Sequence, residues 1–102
     1  MSKPSEETVG RLAVVPVAQL VVACDALVAR LRRIHQAADL GTSERASIDR
    51  AHTENVEALL SFLSVVRATT EFPKETERLT AALNGILESA RTRGICAVQT
   101  LG

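Results

Sequence analysis

The spacing of apolar residues constrains this chain more than any other feature. From Val17 to Ala38 they fall at Val17, Leu20, Val21, Cys24, Leu27, Val28, Leu31, Ile34 and Ala38. Steps of three and four residues align on one face only in an α-helix. Two further stripes follow the same rule: Ile48, His52, Val56, Leu59, Leu60, Leu63 and Val66 with Phe62 at the flank, then Leu79, Leu83, Ile86, Leu87 and Ala90. No segment alternates apolar and polar residues as a half-buried strand does.

The residues between the stripes read as helix boundaries. Pro16 suits a first helical turn, where its missing N–H costs nothing, and Gly41 is placed to end that helix. Thr42-Ser43-Glu44 offers a cap residue and an early carboxylate for the next. Phe72-Pro73 interrupts the chain, Pro73, Glu75 and Glu77 make a first turn, and Arg91, Arg93 and Gly94 make a stop. The expected fold is all-α, an antiparallel bundle of three long helices at about 16–40, 43–69 and 73–93, because short connections make consecutive helices neighbours. Residues 1–14 read as a polar segment or a short helix capped by Ser5. A length of 102 residues leaves room for a single helical-bundle domain.

The third helix is followed by an apolar stub, Ile95 to Gly102. It should pack, start a fourth helix or join an oligomer, which makes Ile95, Val98 and Leu101 candidates for self-association. The core supports the same expectation, since a small domain filled with Val, Ala and Leu is marginal until something completes it. The half of the second helix before Val56 is more polar than the half after it, and is expected to be more exposed or to face a partner.

Composition excludes several functions. Lys and Arg number 12 against 12 Asp and Glu, so no net charge draws the chain to nucleic acid. Two Phe and no Tyr or Trp leave no surface for stacking bases or caging a cation. The five glycines are isolated, so no phosphate loop exists. The stretch from Leu12 to Val28 contains Pro16, Gln19 and Asp25 and is too short and interrupted to span a bilayer. Val21-Val22-Ala23-Cys24 looks like a lipoprotein cleavage site, but Glu6 and Glu7 oppose a positive leader and the helical register continues past Cys24. Ser2 removes an N-myristoylation signal. Cys24 and Cys96 are expected as reduced, buried thiols in a cytoplasmic chain.

Few residues offer chemistry. His35 and His52 meet only if the register of the first two helices allows it, and no metal-ligand spacing joins them to a cysteine. Neither a cofactor nor a catalytic residue is implied, and the chain reads as no enzyme. Gly85, inside the third helix, marks either a close approach of another helix or a tolerated weakness on an exposed face. Arg30, Arg32 and Arg33 form the one basic cluster, a candidate contact for acidic lipid or an acidic partner, worth about 1 kcal/mol per charge at an anionic membrane. Solvated arginines favoured by the helix dipole are the alternative.

Leu59-Leu60 and Leu63 close one helix, Phe72-Pro73 with Glu75-Thr76-Glu77 and Leu79 opens the next, and Leu83, Ile86-Leu87, Ser89-Ala90 and Arg93-Gly94 continue it. In these residues the chain from Val56 onward resembles the N-terminal four-helix domain of mixed-lineage kinase domain-like pseudokinases and related plant and fungal immune-signalling proteins. The resemblance implies a non-enzymatic bundle for protein interaction and oligomerisation in signalling, immunity or cell death. Its partner would be another protein, a second copy or a partner helix. In some members of that group the bundle damages membranes, so a membrane-binding or membrane-permeabilising bundle, recruited on activation, is the alternative function.

Overall fold

The computed structural model describes residues 16–95, and these form three α-helices: α1 (Val17–Leu40), α2 (Arg45–Thr69) and α3 (Pro73–Arg93). There is no strand among the described residues. The boundaries differ from expectation at two starts. Pro16 stands just before α1 in an extended conformation instead of in its first turn. At α2 the flanking residue is Glu44, and no side chain caps the helix. The Thr42 hydroxyl lies 3.5 Å from the Ala37 carbonyl, on the α1 side of the connection.

The ends of α1 and α3 are built alike. Gly41 and Gly94 adopt left-handed φ of 67° and 71°. The amides of Gly41 and Thr42 turn back to the Ala38 and Ala37 carbonyls, and those of Gly94 and Ile95 to Arg91 and Ala90. Carbonyls left over at a helix end are satisfied in this way. Arg45, in the first turn of α2, adds a second closure by donating from Nη2 to the carbonyls of Arg93 and Gly94 at 2.7 and 2.8 Å. The end of α2 has no glycine, and Thr70 takes the left-handed conformation itself at φ 58°.

Side-chain pairs set the helix directions. Asp25 pairs with Arg78 and Asp39 with Arg93, so α1 and α3 run parallel. Arg45 reaches the end of α3 while Arg67 reaches Thr80 near its start, so α2 runs opposite. The result is an up-down-up arrangement in which α1 packs most extensively on α2. Its main core joins Val21, Cys24, Val28 and Leu31 of α1, Val56, Leu59, Leu63 and Val66 of α2, and Leu79, Leu83 and Ile86 of α3. A smaller cluster of Ile48, Ala90 and Ile95 fills the other end.

Cys24 is a free thiol at the centre of the core, with its pKa raised by burial and then by the adjacent Asp25 carboxylate. Ile95 is buried, whereas Val98, Leu101, Cys96 and the expected fourth helix fall outside the described residues. The polar half of α2 buries two residues, Ile48 and His52, where the half from Val56 onward buries four. Ile48 and His52 bury its inward face as fully as the leucines bury the rest. Among the described residues no helix is long and apolar enough to cross a membrane.

Candidate functional site

The two imidazoles lie where the large and small apolar clusters meet, His35 one turn after Leu31 and His52 one turn before Val56. Antiparallel packing of α1 on α2 brings them together, with His35 Nε2 3.0 Å from His52 Nδ1. On the other side of the ring, His35 Nδ1 is 2.9 Å from Ser89 Oγ of α3. Arg93, one turn further on, donates from Nη1 to the same hydroxyl. Its remaining face makes a two-bond pair with Asp39 of α1, both at 2.8 Å. A chain of polar contacts thus crosses all three helices from Asp39 to His52.

What each group can donate limits the proton positions. Arg93 only donates, so Ser89 Oγ accepts from it, while the Ser89–His35 and His35–His52 contacts run in one direction or the other according to the tautomers of the two rings. In either direction both nitrogens of His35 are engaged and one nitrogen of His52, Nε2, is left over. That nitrogen is fully buried and has no hydrogen-bond partner among the described residues. Burial pushes the His35 pKa down to about 4, with help from His52 and the Arg93 charge. Burial lowers His52 as well. Both rings are neutral at physiological pH. The Arg93 guanidinium holds the Asp39 carboxyl below its ordinary range, and Asp39 raises Arg93 in return.

A serine beside a histidine that is itself held by a third group has the outline of a nucleophile and base. Two features oppose that chemistry. The lowered pKa makes His35 a weak base near neutrality, and the lone pair of Ser89 faces the Arg93 cation. The cluster instead clasps α1, α2 and α3 together. Among the described residues no three His, Cys, Asp or Glu converge as metal ligands.

Outside this clasp, α1 and α3 border an open groove of about 650 Å³. Arg32, Arg33, Gln36 and Asp39 line it from α1, and Ala81, Ala82, Gly85, Ser89 and Arg93 from α3. Arg32 and Arg33 are exposed and make no hydrogen bond or ion pair among the described residues. They also lie outside the last turn of α1, which holds no basic residue, so the dipole reading of these arginines fails on position. Arg30, the third of the cluster, is exposed but does not line the groove. Among the described residues nothing comes within 4 Å of where a Gly85 Cβ would be, so neither α1 nor α2 approaches it closely. Its missing side chain leaves the groove floor open. Ile95, by contrast, is buried against its own chain, beside Ile48 and Ala90.

Sequence reasoning singled out Arg30, Arg32, Arg33 and Gly85 but missed Ser89 and Arg93 on the α3 side. Arg93 looked like a helix stop, and Ser89 entered only through the family resemblance. The available signal was Ala81, Gly85 and Ser89 at intervals of four, a row of small residues on one helical face. His35 was also missing from the first apolar stripe, because a neutral imidazole in a core cannot be told from a charged one by spacing. Comparison with protein-family models, curated proteins and solved structures finds no match.

Proposed function

We propose that this chain is a non-enzymatic helical interaction and oligomerisation module that receives an acidic helical segment in the groove between α1 and α3. One observation carries the reading: Arg32 and Arg33 stand without partners among the described residues, over a floor of Ala81, Ala82 and Gly85. Small side chains admit another backbone closely, and unpaired guanidinium groups beside them favour carboxylates. Gly85 supports the same conclusion, since glycine inside a helix costs about 1 kcal/mol relative to alanine and nothing among the described residues uses the space. The resemblance of residues 56–102 to bundles of signalling proteins agrees in kind.

The alternative, a bundle that binds or permeabilises membranes, draws on the same exposed arginines. It asks more of α1, because Val21, Val28 and Leu31 would have to leave the core to enter lipid. Titration of a Glu-rich amphipathic peptide, followed by amide NMR, tests the proposal against anionic vesicles. The expected result is low-salt binding that shifts groove resonances and weakens when Arg32 and Arg33 are both changed to alanine. Equal peptide binding by the variant, or binding to vesicles alone, would overturn it.

A further inference from the structure

The acidic helix that fits the groove is present in the chain itself. The face of α2 turned away from the core carries Arg50, Glu54, Glu57, Ser61, Ser64 and Ala68, all exposed and spaced by three or four residues. Glu54 and Glu57 make no ion pair among the described residues. This row has the charge that Arg32 and Arg33 lack, and side chains as small as those on the groove floor.

The charges also favour one direction. Along α1 the groove is positive at Arg32 and Arg33, while Asp39, seven residues beyond Arg32, is already paired with Arg93; along α2 the outer face is positive at Arg50 and negative at Glu57, again seven residues apart. Seven residues span about 10.5 Å in either helix. Laid antiparallel to α1, an α2 face would set Glu57 against Arg32 and Arg33 and leave Arg50 at the level of the neutralised Asp39–Arg93 pair. The reverse direction would oppose Arg50 to Arg32 and Arg33. In the same register Glu57 lies near the level of Gly85, because His35 pairs with Ser89 and so fixes α1 against α3. Ser61 follows one turn away, over Ala81 and Ala82.

That direction is also the one a helical bundle favours. Helices α1 and α3 are parallel to each other, so a helix antiparallel to both completes an up-down-up-down set. We propose that the groove of one copy takes the outer face of α2 from a second copy, a contact that rests on the interaction reading above and names its partner. Groove and α2 face are different surfaces, so the contact is head-to-tail. Each bound copy still presents a free groove at one end and a free α2 face at the other, and assembly continues into a ring or an open filament instead of closing at a dimer.

Sedimentation of the full chain across the micromolar to submillimolar range tests this, with two charge-reversed proteins. One carries R32E and R33E, the other E54R and E57R; all four positions are exposed, and circular dichroism checks that each protein folds. For a protein that does not fold, the corresponding glutamine changes take its place. The wild type is expected to grow past a dimer with concentration at low salt and to shrink at high salt. Each variant alone should associate at least about tenfold more weakly. Mixed together they should associate again, because each then offers the charge the other lacks. A wild type that stays monomeric, a variant that assembles like the wild type, or a mixture no larger than its separate parts would overturn the proposal. In any of those cases, retained binding of the acidic peptide in the groove would leave the interaction reading standing and remove only the second copy as its occupant.

Discussion

Acid should weaken this fold well before its carboxylates protonate. The perturbation is a change from about pH 7.5 to about pH 4.5, and the group that responds is His35. Its pKa falls from 6.5 to about 4 on folding, because the ring is buried and faces His52 and Arg93. Above the unfolded value both states hold a neutral ring and no stability is lost. Below it the unfolded chain takes up a proton that the folded chain refuses, so stability declines as pH drops from 6.5 towards 4. The difference at pH 4.5 is close to two pKa units, on the order of 2.5 kcal/mol. His52, lowered by burial, adds in the same direction. Asp39 does not contribute in this window, since its carboxyl is also depressed on folding and its stabilisation is lost only below the ordinary carboxylate value of 3.8. With no Trp or Tyr, unfolding is followed by far-ultraviolet circular dichroism in urea. For a chain of this size the midpoint should move down by about 2 M. The variant H35L/H52L, in which both partners of the buried contact become apolar together, should lose that dependence. A flat wild-type profile between pH 7.5 and 4.5, or an equal slope in the double variant, would refute the reasoning.

Other residues give sharper local tests. Thr70→Gly should raise the thermal midpoint, since a β-branched residue held at φ 58° carries about 1 kcal/mol of strain that glycine relieves. Gly94→Ala should lower stability by about 1–2 kcal/mol in urea titration, because φ is 71° and the new Cβ would stand 3.2 Å from the Arg45 Nη2 that closes α3. Gly85→Ala should separate stability from binding. Open space accepts the methyl group, so the helix gains up to about 1 kcal/mol, while peptide binding in the groove weakens; unchanged binding would mean that the floor is not the contact.

The three helices were legible because each stripe repeats at helical spacing and is bounded by proline or glycine. Gly41 and Gly94 end α1 and α3 where their positions indicate, and the buried residues of α3 all belong to the stripe read from sequence. Capping was less legible. A Thr-Ser-Glu run can serve the helix before it or the helix after it, and here no side chain caps α2. At the polar start of α2 the stripe did name the inward residues, since Ile48 and His52 are the two that are buried there.

What the sequence determined by itself is local: periodicity selects helix over strand, and the residues at the breaks select where each helix ends. Tertiary structure alone decided which residues from different helices meet. Arg93 and Ser89 lie 54 positions from Asp39 and His35, and only the parallel alignment of α1 with α3 brings them together. The same alignment turned Arg32 and Arg33 from a charged stretch of helix into one wall of a groove. A stripe specifies the inward face of a helix, but the register between helices is set by the packing of all three.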